Sequence, residues 1–82
     1  MTMMEDLHIA GIVVHARAES AAGVAAAITA WNGVEIHATS PEGKLVVTLE
    51  APTAREIGAR IEEIQRLDGV LSASLVYQHT EP

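Results

Sequence analysis

Four histidines, at positions 8, 15, 37 and 79 of this 82-residue chain, could bind a metal or move a proton. His15 and His37 fall on the same side of two predicted strands, and His8 has the opposite parity. In the fold that the element order predicts, a third strand separates those two strands, so roughly 9–10 Å lies between the two histidines at the usual strand spacing. One transition-metal ion cannot be ligated by both. We therefore interpret the histidines as surface residues and expect no metal site.

The other reactive side chains do not form a catalytic pattern. Glu62 and Glu63 are adjacent on a predicted helix and point about 100° apart, so they do not form a carboxylate pair. Ser72 and Ser74 lack the Asp and His order of a triad and the glycine elbow of a hydrolase. The chain has no cysteine and no glycine-rich phosphate loop. We therefore expect neither an enzyme nor a cofactor of its own.

The charge of the chain indicates a cationic partner. Eleven acids against five bases give a formal charge of −6, and Trp31 and Tyr77 are the aromatic residues. Proteins that bind nucleic acids usually need clustered basic residues and exposed aromatic rings, so we expect no nucleic-acid binding.

The longest uncharged stretch, Ser20 to Val34, is too short for a membrane span. Met1 to Asp6 carry two acids and no base, unlike a signal peptide. We expect a cytoplasmic protein that does not insert into membranes.

A pattern that occurs twice predicts the fold. The heptapeptide Ile-x-x-(Trp/Leu)-(Asn/Asp)-Gly-Val runs from Ile28 to Val34 and again from Ile64 to Val70. Each copy ends an apolar helical pattern, turns on a glycine and enters a strand-like segment. Two such units indicate a duplicated strand–helix–strand plan.

The elements around this repeat follow from periodicity and turn residues. A capping box at Thr53–Glu56 begins the second helix, which we expect to run to about Leu67. The tail from Thr80 to Pro82 is expected to fray. The predicted elements are strands over 8–16, 34–39, 44–50 and 70–78, and helices over 20–31 and from 53 to about 67.

The order βαββαβ predicts an α+β, ferredoxin-like sandwich. Right-handed crossovers place both helices on one face of a four-stranded antiparallel sheet, with the first and third strands central. We expect a single domain over residues 1–82 with an ordered core of about residues 7–79. One sheet face then stays open.

Parity assigns each strand residue to one of the two faces. The helix-facing set is predicted to be Ala10, Ile12, Val14, Val34, Ile36, Leu45, Val47, Leu49, Ala73 and Leu75. The open set is predicted to be Ile9, Gly11, Val13, His15, Glu35, His37, Thr39, Lys44, Val46, Thr48, Glu50, Ser72, Ser74, Val76 and Gln78.

The predicted open face is small and apolar at its centre and acidic towards one edge. Gly11, Ser72 and Ser74 leave room for a ligand, and three valines would form an apolar floor. An amphipathic helix with basic residues would suit this surface. The alternative interpretation is a solvated sheet face or the homodimer interface of a weak homo-oligomer, and parity alone gives it about the same weight as the binding of such a helix.

Four segments carry a resemblance to a known family. They read I-V-V-H-A at 12–16, G-V-E-I-H at 33–37, G-K-L-V-V-T-L-E-A at 43–51 and G-V-L-S-A-S-L-V-Y at 69–77. In this order they resemble the NapD family over about residues 7–79. NapD proteins are small cytoplasmic chaperones for maturation of the catalytic subunit of periplasmic nitrate reductase.

The resemblance implies binding of the twin-arginine signal peptide of that subunit until its cofactors are inserted. The cofactors belong to the client, so none is expected here. On this hypothesis Val13, Val46 and Val76 contact the apolar part of the peptide, while Glu35 or Glu50 meets an arginine. The expected peptide-binding set is Gly11, Val13, Glu35, His37, Val46, Thr48, Glu50, Ser72, Ser74 and Val76.

Two other classes share this element order. A small-ligand regulatory module of the ACT or Lrp type has the same βαββαβ plan and remains the alternative function. An acylphosphatase-like hydrolase would need an arginine-bearing phosphate loop after the first strand, and Arg17 alone does not provide one.

Overall fold

The computed structural model describes residues 7–81, which form one four-stranded sheet with two helices packed on it. The expectations for Met1–Asp6 and Pro82 lie outside these residues. A short 3₁₀ turn (Ala18–Ser20) precedes the first helix. The elements are β1 (Leu7–Ala16), α1 (Ala21–Thr29), β2 (Val34–Thr39), β3 (Lys44–Ala51), α2 (Ala54–Gln65) and β4 (Val70–Glu81).

The sheet has the order β2-β3-β1-β4, and every neighbouring pair is antiparallel. β1 and β3 are therefore central, which confirms the predicted ferredoxin-like α+β fold. Among residues 7–81 no helix combines the length and the apolar composition that a membrane crossing requires.

The two copies of the repeat form turns that bond the helix ends to the sheet. Gly33 and Gly69 have φ of 78° and 89°, a left-handed conformation that glycine adopts without steric cost. The Gly33 carbonyl accepts a hydrogen bond from the Glu50 N–H at 2.8 Å. The Gly69 carbonyl accepts one from the Arg17 N–H, also at 2.8 Å. Each turn is thus fixed to a neighbouring segment.

The predicted capping residue begins α2, with one difference in its bonding. The Glu56 N–H donates to the Thr53 hydroxyl oxygen at 3.1 Å, as expected. The hydroxyl itself donates to the Glu56 carboxylate at 3.0 Å. In a full capping box the carboxylate would accept from the backbone N–H of the threonine instead. The threonine still satisfies one of the free donors at the helix start.

The core lies between the helices and one side of the sheet. Val24, Ile28, Ile57 and Ile64 of the helices pack on alternate residues of the strands. Within residues 7–81 no polar or charged residue is buried. The buried hydrophobic residues are Ala10, Ile12, Val14, Ala16, Val24, Ile28, Leu45, Val47, Leu49, Ala51, Ile57, Ile64 and Ala73.

The helix-facing prediction for Leu75 is confirmed, although the helices leave this residue half exposed. It pairs with buried Ile12 and so lies on the helix side of the sheet, but 51% of its surface is exposed. β4 is an edge strand. Ala73 is buried on this edge, whereas Leu75, two residues further along the strand, is not covered.

Two β-bulges change the predicted faces. In β2 the register shifts between Ile36 and Ala38, so Thr39 pairs with buried Leu45. Thr39 was therefore wrongly placed on the open face. A bulge adds one residue to one strand, and every residue beyond it changes face relative to a strict period of two.

The second bulge lies in β4 opposite Gly11 and Ile12; a further register shift in β4, opposite His15 and Ala16, affects none of the residues assigned to a face. Leu75 pairs with Ile12 and Tyr77 pairs with Gly11, so Val76 is the extra residue. Gln78 consequently pairs with buried Ala10 on the helix side. Its prediction as an open-face residue was wrong for the same reason as that of Thr39.

The expected fraying of the tail was also wrong for Thr80 and Glu81, which belong to β4. They pair with His8 and Leu7, and the Thr80 hydroxyl lies 3.2 Å from His8 Nδ1. β1 begins early enough to provide partners for them, which the position near the end of the chain did not reveal.

Candidate functional site

The candidate site is the open face, which we define as the side of the sheet away from the helices. Cross-strand pairing arranges its residues in rows across the strands. From one end of β1 to the other the rows are Leu7–Glu81, Glu50–Ile9–His79, Glu35–Thr48–Gly11–Tyr77, Ala38–Val46–Val13–Ser74 and Lys44–His15–Ser72.

An apolar hollow of about 390 Å³ lies at the centre of this face. Val46, Val76 and Tyr77 are 44%, 63% and 46% exposed there. Apolar side chains exposed together in this way mark an interaction surface more often than a solvated one. The lining residues are Gly11, Ile12, Val13, His37, Val46, Val47, Thr48, Val76 and Tyr77.

Tyr77 is absent from the expected peptide-binding set, and its ring lies over Gly11. A Cβ atom at position 11 would overlap the ring carbons of Tyr77. The expectation that Gly11 leaves room for a ligand was therefore wrong, because the chain's own tyrosine occupies that room. A glycine paired with an aromatic residue on the next strand could have predicted this contact. The pairing of Gly11 with Tyr77 depends, however, on the register that the β4 bulge sets.

An acidic edge borders the hollow on the side of β2. Glu35 and Glu50 line a smaller depression of about 270 Å³ together with Thr48. Both carboxylates are exposed. His37 connects this edge to the hollow, since its Nε2 lies 2.8 Å from the Thr48 hydroxyl and 3.7 Å from a Glu35 carboxylate oxygen.

The predicted serines lie apart from the hollow. Ser74 pairs with Val13 and Ser72 with His15, so both are on the open face as expected. They do not line the hollow. Of the ten expected residues, the hollow brings together Gly11, Val13, His37, Val46, Thr48 and Val76.

Three of the four histidines belong to the open face. His79 stacks on Tyr77, with ring centroids 6.1 Å apart and an angle of 18° between the planes. Its Nε2 lies 3.2 Å from a Glu81 carboxylate oxygen. His15 lies in the row of Lys44 at the other end of the face. No cluster of three metal-ligating side chains occurs in the described part of the chain.

The arrangement provides an apolar floor, an aromatic ring and carboxylates on one accessible surface. Such a surface can bind a segment that is both apolar and cationic. Apolar contact supplies area, and the carboxylates attract and orient the positive charge.

Comparison with known proteins identifies the family of the chain. The family model described as NapD protein matches residues 7–82. Chaperone NapD of Escherichia coli K12 is 30% identical over 80 residues, covering 96% of this chain and 92% of that protein. Chaperone NapD of Paracoccus pantotrophus is 36% identical over 76 residues, covering 93% and 67%.

A solved structure is also similar. The solution structure of the E. coli Tat proofreading chaperone protein NapD superimposes with a TM-score of 0.84 at 30% identity. The match covers 98% of this chain and 84% of that one. By sequence and by fold, the chain belongs to the NapD family.

Proposed function

We propose that this chain is a maturation chaperone that binds the twin-arginine signal peptide of the periplasmic nitrate reductase catalytic subunit. It would hold the precursor in the cytoplasm until the cofactors of that subunit are inserted. The observation that carries the proposal is the apolar hollow bordered by Glu35 and Glu50 on the open face. The relatives are named chaperones, and we propose that the chain acts by binding alone.

The hollow suits the apolar part of such a peptide. Val13, Val46 and Val76 provide the floor, and Tyr77 closes one side. A leader that becomes helical on the sheet would bury one apolar stripe against these side chains. Burial of apolar surface supplies about 25 cal/mol per Å², which offsets the ordering of the peptide.

The carboxylates suit its arginines. Glu35 and Glu50 are exposed, so each ion pair with a guanidinium would contribute about 0.5–1 kcal/mol. Their greater effect is on selection, because a peptide without the paired positive charges would lose both attraction and orientation. The arginines thus distinguish a twin-arginine leader from other apolar segments.

The family assignment favours this function over a small-ligand module of the ACT or Lrp type. The two functions also differ in a simple measurement. A regulatory module gains thermal stability with rising concentration of its amino acid, whereas a peptide-binding chaperone gains it with the leader peptide.

Calorimetry with the nitrate reductase leader peptide tests the proposal. We expect heat of binding with the native peptide and at least tenfold weaker binding when both arginines are replaced by glutamine. Absence of binding by the native peptide would overturn the proposed function.

Charge reversal tests the electrostatic part. Replacing Glu35 and Glu50 by lysine exchanges two attractions for repulsions, so we expect a loss of about 2 kcal/mol, or roughly 30-fold in Kd. The salt dependence of binding should also weaken. The matched control reverses Glu19 and Glu42, two exposed acids outside the strands, and should change the affinity much less. Equal effects of the two double variants would show that only net charge matters.

A further inference from the structure

We propose that the leader lies on the open face in one orientation, with its arginines over the end of the sheet where β1 begins and its apolar part towards Lys44. This inference rests on the proposed function and deepens it. In a signal peptide the basic region precedes the apolar region. The peptide chain would therefore run parallel to β1.

Charge is distributed unevenly along the open face. The strand carboxylates of the open face lie in the first three rows, at Glu81, Glu50 and Glu35. Within residues 7–81, Lys44 is the only lysine or arginine that belongs to a strand, and it lies in the last row beside His15. Ile9 and His15 are six residues apart on β1, so roughly 20 Å separates the row of Glu50 from the row of Lys44. Arginines are attracted at one end and repelled at the other.

The aromatic ring of Tyr77 also lies towards the acidic end of the face. Tyr77 lies over Gly11, whose diagonal neighbour on β3 is Glu50. Diagonal neighbours in an antiparallel pair have Cα atoms about 7–8 Å apart. A guanidinium between them would contact the carboxylate and the ring together, and it would share the ring face with His79, whose ring centroid lies 6.1 Å from that of Tyr77. The same kind of contact exists elsewhere in this protein, where the Arg60 guanidinium lies 4.9 Å from the Trp31 ring centroid.

The distance between these two ends also suits a helical peptide. A helix of about 13 residues spans 20 Å at 1.5 Å per residue. With its N-terminus at the acidic end, the positive end of its dipole meets Glu50 and the negative end approaches Lys44. The apolar stripe then lies over Val13 and Val46 in the fourth row. In the reverse orientation every one of these charge interactions changes sign.

Paramagnetic broadening tests the orientation on the unmodified protein. A leader peptide carries a nitroxide either beside its arginines or at the end of its apolar segment, and the backbone amide signals of the ¹⁵N-labelled chain are recorded. The label beside the arginines should broaden Ile9 and Glu50 most strongly. The label at the apolar end should broaden His15 and Lys44 most strongly.

The outcomes separate this inference from the function on which it rests. The opposite pattern, or equal broadening of both ends by both labels, overturns the single orientation while leaving the chaperone function intact. A native peptide that fails to bind in calorimetry overturns both.

Substitution of Tyr77 provides a second readout. Tyr77→Leu keeps an apolar side chain but removes the ring, and we expect roughly two- to fivefold weaker binding of the native peptide. The peptide with both arginines replaced should lose little, because it has no guanidinium to stack. Tyr77→Phe keeps the ring and should bind like the unmodified chain. An equal loss for both peptides would show that Tyr77 acts only as apolar surface.

Discussion

The two faces of the sheet are built from alternate residues of the same strands, yet they obey different constraints. On the helix-covered face Ile12, Val14 and Val47 are at most 1% exposed. On the open face Val13 is half-buried and Val46 is exposed, and both lie beside glutamates, histidines and serines. The covered face holds the domain together, because apolar burial is its main source of stability. The open face is free to vary in chemistry, and recognition is therefore expected there.

Adjacent valines of β1 provide the strongest test of this comparison. Val14→Ala removes two buried methyl groups and should lower the free energy of unfolding by about 2–3 kcal/mol. Val13→Ala makes the same truncation on the open face and should cost less than about 1 kcal/mol. Urea denaturation of both variants measures the difference. Peptide affinity should respond in the opposite order when both are measured in folded protein, with Val13→Ala the weaker binder.

Gly11→Ala sharpens the comparison within the open face. The new Cβ would overlap the Tyr77 ring, so the ring must turn away from the sheet. Tyr77 is partly exposed and can move, and we expect a loss of only about 1 kcal/mol in stability. The displaced ring should be visible as altered Tyr77 side-chain signals and as weaker peptide binding. A variant with an unchanged ring environment would contradict the packing of Tyr77 over Gly11.

Gly58→Ala is the counterpart on the helix layer, with the smallest expected effect. Gly58 lies inside α2, is exposed, and a Cβ there would meet no atom within 4 Å. Alanine is the better helix former, so the variant should gain about 0.5–1 kcal/mol. Thermal unfolding measures the gain. A loss instead would show that the glycine serves a contact, and peptide affinity should stay unchanged in either case.

Much of the fold followed from local patterns. The repeated helix–Gly–Val unit predicted two turns, and β2 occupies the predicted residues 34–39. Threonine at position 53 predicted the start of α2. These features depend on the backbone preferences of neighbouring residues, so a short window of sequence contains the necessary information.

The site was predicted less completely. Glu35, His37 and Val46 were assigned to the correct face. Glu35 precedes the bulge of β2 and His37 lies within it, while Val46 belongs to β3, which pairs with β1 without a register shift. Thr39 and Gln78 were misassigned and Tyr77 was missed, because each follows a bulge. A bulge is a property of two paired strands, and neither strand shows it alone.

The sequence by itself determined the elements, the turns at Gly33 and Gly69, the acidic charge and the family. These depend on composition and on interactions between residues close in the chain. The tertiary structure decided which residues share the open face, because bulges in the paired strands set the register. It placed Tyr77 over Gly11 and brought Glu35 of β2 beside Thr48 and Glu50 of β3. Recognition depends on these juxtapositions of distant residues, which exist only once the strands are paired.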